Sequence, residues 1–290
     1  MVPVRLPAAG QATVADALPA RVRSHGFTMI EVALCLAIIG FALVSILAVL
    51  PLGMNSQQAT RQQTVISQDA TMFLEAIRGG AQGMDDLTNY VLAITNYSQG
   101  YTSNGVRSGI LHTAGYTFDS AAFDLTAEPG WVLTNGARII GLMSTPEFTD
   151  GIGGSPLSSI VNIPYTSNRV YACVRSFSGV AAEKPPQNND IMRGASFSYR
   201  MLCVNAPVPA SAAVMAGTGT NYAAFEHQMA VNLRELRLMF LWPVLPNFSV
   251  GLNHEHQNFR ADVAGSMSLT NNNGISLYFF EPQSFATNLP

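Results

Sequence analysis

Three groups of residues have the types and spacing that chemistry requires: candidate metal ligands, a pair of cysteines and an isolated glutamate. His254 and His256 are two positions apart, so in a strand both imidazoles would share one face and could bind one metal ion. The sequence offers no third ligand to them, which favours a solvated turn. Glu147 and Asp150 lie in a glycine-containing loop and are candidate calcium ligands, but their spacing is not that of an EF-hand. We therefore expect no bound metal and no other cofactor.

Cys173 and Cys203 form the second group. They lie in two segments with strand-like patterns, 169–177 and 195–204, and are candidates for a disulfide if this part of the chain folds outside the cytoplasm. The sequence leaves the question open, because it gives neither the strand pairing nor the Cα separation. The third cysteine, Cys35, lies in an apolar run and is expected to act as a small hydrophobic residue.

The motifs of common enzyme classes are absent. The chain has no GxSxG, GxGxxG, P-loop or HExxH sequence, and no cysteine spacing typical of zinc sites. Its formal net charge is −3, and beyond the first 25 residues it has no cluster of lysine and arginine. Such clusters are the usual signature of nucleic-acid binding. We therefore expect neither an enzyme nor a nucleic-acid-binding protein.

Glu31 is the third group, and it lies near the start of an otherwise uncharged apolar run that reaches Leu50. A carboxylate at the bilayer centre costs about 2.5–3.5 kcal/mol on insertion scales, so this residue needs a physical reason. The uncharged stretch from Val32 to Leu50 is long enough to span a membrane. Because residues 1–26 carry three arginines and one acid, the positive-inside rule places them in the cytoplasm and the rest of the chain across the membrane.

The residues around Glu31 read "GFTMIE", with Gly26 and Phe27 preceding it. This order resembles the class III signal of type IV pilins and of the pseudopilins of type II secretion. In that family a membrane peptidase cuts after the glycine and methylates the new amino terminus. The resemblance implies that residues 1–26 are a leader, that Phe27 becomes the methylated terminus, and that Glu31 pairs with the amino terminus of a neighbouring subunit. A plain signal anchor with a snorkelling Glu31 is the alternative.

The resemblance also implies partners and a location. The partners would be a prepilin peptidase, other pilins or pseudopilins in a filament, an inner-membrane assembly platform and, before assembly, membrane lipid. The subunit would first be a single-pass protein of the inner membrane, with a cytoplasmic leader and an extracytoplasmic head. After assembly it would belong to a periplasmic pseudopilus or an extracellular pilus.

The elements that must position these residues begin with one long helix over residues 27–80. Its first part, 27–50, is the expected membrane span, and its second part, 54–78, is amphipathic. The apolar stripe of the second part is too short for a coiled coil, so it is expected to pack on the head. Pro51 is expected to kink the helix, and Gly79-Gly80 to end it. The stripe consists of Val65, Ile66, Asp69, Ala70, Phe73 and Ile77.

The remainder, residues 85–290, is expected to form a globular head rich in antiparallel strands, which makes the fold class α+β and pilin-like. A strand-like segment is expected at 131–142, and Asn135-Gly136 within it predicts a hairpin turn. Alternation in the segment 230–242 predicts a strand with one apolar face that covers a helix. Further strands are expected at 89–95, 159–165, 169–177, 195–204, 258–269 and 274–280, with long loops at 96–108, 143–158, 178–194 and 206–224.

Two functions follow as hypotheses. The first is a structural subunit of a pilus or pseudopilus, and the size of the head favours a minor one. The second is a membrane-anchored binding protein that does not polymerise. Residues 232–265 also resemble pilin-related cassette proteins of Verrucomicrobia, a resemblance that implies no mechanism.

Overall fold

The computed structural model describes residues 26–80, 84–117, 128–133, 135–157, 162–177, 197–208, 228–229, 231–245, 249–272 and 274–285. The predicted leader before Gly26, the predicted loop 178–194 and most of the predicted loop 206–224 lie outside these residues. The chain divides into two compact units, residues 1–57 and residues 58–290.

The helices are α1 (Met29–Arg78), a short 3-10 helix (Asp85–Asn89) and α2 (Gly136–Met143). The strands are β1 (Val91–Tyr101), β2 (Arg107–Thr117), β3 (Glu128–Val132), β4 (Phe148–Asp150), β5 (Tyr165–Arg175), β6 (Ser198–Pro207), β7 (Leu233–Val244), β8 (Val250–Ala264), β9 (Ser266–Asn272) and β10 (Ile275–Glu281). The fold is therefore α+β, as the sequence predicts.

The first half of α1 is apolar around its circumference. The described residues from Gly26 to Leu50 are all exposed, and Phe41 and Leu47 keep 78% and 68% of their surface. The helix is long and apolar enough to cross a membrane, and its most apolar stretch has no surface buried within the protein. It continues through Pro51, which cannot donate a hydrogen bond to the preceding turn.

The second half of α1 has the one-sided pattern that its sequence predicts. Ile66, Ala70, Phe73 and Ile77 recur every three or four residues and are completely buried. They belong to the same core as residues of β5, β6 and β7, and the Phe73 ring meets that of Phe177 edge-on at 5.3 Å. Packing against the sheet, rather than a coiled coil, is therefore how this stripe is covered.

Eight strands form the large sheet, in the order β3-β2-β1-β5-β6-β7-β8 with β4 also paired to β5. All of its neighbouring strands are antiparallel except β2 and β3, which are parallel. The remaining two strands, β9 and β10, form a separate antiparallel pair.

The two faces of the large sheet differ in character. On β7, the side chains of Leu236, Leu238 and Phe240 are completely buried on the face that joins the α1 core, which confirms the predicted alternation. Their neighbours Glu235 and Arg237 lie on the opposite face, since successive strand residues alternate. We call this opposite side the outer face. It includes Tyr171 of β5, Arg200 of β6 and His256 of β8 by strand register.

A buried polar contact fastens α1 to the sheet. Asp69 lies within the apolar stripe of α1 with no exposed surface, and the Tyr199 hydroxyl of β6 donates a hydrogen bond of 2.9 Å to its Oδ2. Burial raises the pKa of Tyr199 well above its ordinary value, and the neighbouring Asp69 charge raises it further. The phenol therefore stays protonated and keeps its role as donor.

The predicted hairpin at Asn135-Gly136 is wrong, because these residues begin α2. The Asn135 side chain accepts a hydrogen bond of 2.9 Å from the Arg138 amide and so caps the helix. Helix α2 then packs on β10, where a Cβ on Gly141 would lie 2.9 Å from Cβ of Leu277. Asparagine favours both helix caps and tight turns, and here the apolar residues that follow it complete a helix.

The predicted loop 96–108 is also largely wrong. Strand β1 runs to Tyr101, a short turn follows, and β2 begins at Arg107. The Thr102 amide donates to the Val106 carbonyl oxygen at 2.9 Å, and Gly105 adopts a φ of 73° that closes the turn. The glycines and serines of this region suggest a loop by composition, although its backbone forms the antiparallel pair of β1 and β2.

Candidate processing and assembly site

The start of α1 is built as a capping box around Thr28 and Glu31. The Thr28 amide and hydroxyl each donate a hydrogen bond of 3.0 Å to Oε2 of Glu31, and the Glu31 amide donates to the Thr28 hydroxyl oxygen at 3.3 Å. These contacts satisfy amides that the first turn of a helix leaves without intrahelical partners. They also hold the carboxylate at the positive end of the helix dipole.

Gly26 and Phe27 precede the helix and are accessible. Phe27 keeps 84% of its surface exposed. A Cβ on Gly26 would meet no described atom within 4 Å. Packing against the described residues therefore does not require glycine at this position.

The Glu31 carboxylate is close in the chain to the Gly26–Phe27 bond. The Thr28 amide, which follows Phe27, donates to it, and the carboxylate is exposed. Cutting the Gly26–Phe27 bond would convert the amide nitrogen of Phe27 into a charged amine two residues before the helix begins.

Thr28 is the member of this site that sequence reasoning missed. Threonine followed three residues later by glutamate, directly before an apolar run, is the signature of a capping box. Residues 28–31 have this pattern, but an acid within an apolar run also suggests a role in the membrane, and that interpretation hides the cap.

The candidate disulfide between Cys173 and Cys203 is not formed, and both thiols are free and buried. In the ladder of β5 and β6, Cys173 lies opposite Arg200 and Cys203 lies opposite Val170. The two cysteines are therefore three positions out of register and point to opposite faces of the sheet. Burial raises the pKa of Cys173 to about 11, partly opposed by the Arg200 charge, and burial also raises the pKa of Cys203 strongly.

The candidate metal ligands lie in three different surroundings. His254 and His256 share the outer face of β8, in a strand rather than the predicted turn, and Nδ1 of His254 is 3.0 Å from the Gly251 carbonyl oxygen. Asp150 accepts hydrogen bonds from the amides of Gly153 and Ser155 at 2.7 and 3.1 Å. In the described part of the chain, no three histidine, cysteine or acidic residues come together as a metal site would require.

Glu147 is half-buried and separate from the histidines in the fold. Burial raises its pKa, and the positive charges of Arg237 and Arg169 partly oppose that shift. Its backbone joins β4 to the sheet, since its amide donates to the Asn205 carbonyl oxygen at 2.8 Å.

Comparison with known proteins finds no family model, no curated protein and no solved structure that matches the chain.

Proposed function

We propose that the chain is a pilin-like structural subunit of a type IV pilus or of a type II secretion-like pseudopilus. It would be cleaved after Gly26, methylated at Phe27 and assembled through α1. The observation that carries this proposal is the start of α1, where an accessible Gly26-Phe27 bond directly precedes a helix that holds Glu31 in its first turn.

The apolar half of α1 supports assembly through this helix. Residues 32–50 have no charge, and their side chains find no cover within the protein. In the membrane, lipid covers this surface before assembly. In a filament, the same half of neighbouring copies would cover it, so one surface serves both states.

Glu31 would then set the register between neighbouring copies. A carboxylate that enters an apolar assembly without a partner carries a large desolvation cost, which a neighbouring amine offsets. Only the axial offset that brings the amine of Phe27 to Glu31 of the adjacent copy avoids that cost. The new amino terminus exists only after cleavage, so assembly would require cleavage first.

The proposed cellular role follows from this assembly. The subunit resides in the inner membrane with an extracytoplasmic head, and it moves into the filament through an assembly platform. The size of the head favours a minor subunit. The head has no role as an enzyme in this proposal.

Replacing Glu31 tests the proposal against that of a membrane-anchored binding protein that does not polymerise. The chain with Glu31→Ala is produced together with a prepilin peptidase and an assembly platform, and multimers are counted by cross-linking intact cells. We expect membrane insertion to persist and multimers to fall tenfold or more, the change that about 1.4 kcal/mol produces.

The matched control is Glu75→Ala, which removes an exposed acid from the same helix with only its 3.7 Å ion pair to Arg78. It should leave the multimers unchanged. Multimers that persist at the wild-type level with Glu31→Ala would contradict the role of Glu31 in assembly. Their absence from the wild type as well would favour the non-polymerising protein.

A further inference from the structure

The outer face of the sheet contains a groove of about 540 Å³ that crosses six neighbouring strands, from β2 to β8. Neighbouring strands are about 4.8 Å apart, so the groove extends for roughly 24 Å across the sheet. The groove crosses the strands obliquely, since Arg107 lies in the row of Tyr101 and Tyr165 whereas Arg200 lies opposite Cys173, further along β5. Its length suits an extended chain.

The groove is positively charged. Arg107 of β2, Arg169 of β5 and Arg200 of β6 line it, together with His254 of β8, and no carboxylate of a described residue does. The arginines are distant in sequence, so they do not form a cluster of basic residues along the chain. The sheet brings them together.

The nearby acids are already engaged. Glu235 forms an ion pair with Arg237 and lies 3.6 Å from Arg260. Glu147 is half-buried and interacts with Arg169 and Arg237 through their charges. Neither acid lines the groove, so the arginines there present net positive charge to solvent.

The groove is also built with fixed side chains. The guanidinium carbon of Arg200 lies 4.2 Å from the centre of the Tyr171 ring, and that ring meets Tyr97 edge-on at 5.7 Å. The Nε of Arg200 is buried and has no hydrogen-bond partner within the described residues. A buried donor without a partner is costly to the protein.

We propose that this groove binds an acidic polysaccharide, with carboxylates of the sugar chain at Arg107, Arg169 and Arg200. The planar fork of a guanidinium matches a carboxylate in two parallel hydrogen bonds, and the groove offers one such group from each of β2, β5 and β6. The tyrosine hydroxyls along the same groove offer hydrogen bonds to sugar hydroxyls.

A single-stranded nucleic acid suits the groove less well. Such ligands stack their bases on aromatic rings with open faces. Here Arg200 covers a face of Tyr171, and Tyr101 and Tyr165 stack on each other at 5.0 Å. This inference concerns the head alone and holds whether or not the chain assembles into filaments.

The test measures binding of the full chain in detergent micelles to polygalacturonate, with neutral dextran and oligo(dT) as competitors. We expect saturable binding of polygalacturonate that dextran does not displace. The double variant with Arg107→Gln and Arg169→Gln, both exposed residues whose removal leaves the core intact, should weaken binding by about tenfold or more. Arg61→Gln, an exposed arginine of α1, should leave it within twofold of the wild type.

Several outcomes would overturn the proposal. Polygalacturonate that binds no better than dextran would do so, as would oligo(dT) that binds more tightly than polygalacturonate. Equal affinity of the double variant and the wild type would also contradict it, since binding would then occur elsewhere on the protein.

Discussion

At the scale of the single residue, Glu31 caps α1, and the proposed function would give it a second role after cleavage. In the uncut chain its carboxylate accepts two hydrogen bonds from Thr28 and stabilises the first turn of α1. After cleavage the same oxygen would face the new amine of its own chain and that of a neighbour. The capping contact keeps the carboxylate at the helix end until an ammonium group competes for it.

Thr28→Val tests the capping contact. The variant keeps the shape of the side chain but removes the hydroxyl oxygen that accepts from the Glu31 amide. We expect the first turn of α1 to lose about 1 kcal/mol, so amide exchange at residues 29–32 should speed up roughly fivefold. Thr28→Ser keeps the hydroxyl and should exchange like the wild type. Equal protection in all three chains would contradict the capping role.

The free thiols give a second test at this scale. Because burial raises the pKa of Cys173 to about 11 and raises that of Cys203 strongly, both stay protonated at pH 8 and are shielded from reagents. In native protein in detergent, iodoacetamide should therefore leave Cys173 and Cys203 unmodified, and denaturant should make both reactive. Mass spectrometry counts the modified sites. A peptide that links Cys173 to Cys203 without reductant would contradict the register of β5 and β6.

At the scale of the elements, α1 is one helix with two environments. The side chains of its apolar half are exposed, and its second half packs on the sheet. There the Asp69–Tyr199 hydrogen bond lies among completely buried apolar residues. A buried carboxylate fixes the rotation of the helix on the sheet, since only one rotation brings Asp69 to the Tyr199 hydroxyl.

Tyr199→Phe measures the strength of that contact. The ring remains, but the hydrogen bond to a buried acid is lost, so the free energy of unfolding should fall by about 1–3 kcal/mol. Tyr90→Phe removes a hydroxyl from a half-buried tyrosine and should change it by less than about 0.5 kcal/mol. Denaturant titration of the full chain in detergent gives both values. An equal decrease in the free energy of unfolding in the two variants would show that the hydrogen bond from Tyr199 to Asp69 does not stabilise the fold.

At the scale of the whole molecule, the sequence predicted the long helix, its change of character and most strands, because periodicity records which side of an element is buried. It did not predict β2, whose two glycines and one serine are typical of a loop, or α2, whose Asn135 caps a helix where a turn was expected. It also could not reveal that Cys173 and Cys203 face opposite ways, or that three distant arginines share a groove. Both depend on strand register, which no local pattern contains.

The central claim is that the chain is processed at Gly26-Phe27, and the intact mass of the protein tests it most directly. The chain is produced with and without a prepilin peptidase, extracted from membranes and weighed by mass spectrometry. With the peptidase we predict the loss of residues 1–26 and the gain of one methyl group at Phe27. Gly26→Val, at a position with open space around it, should block both changes and leave the head folded. A full-length chain in the presence of an active peptidase would contradict the account.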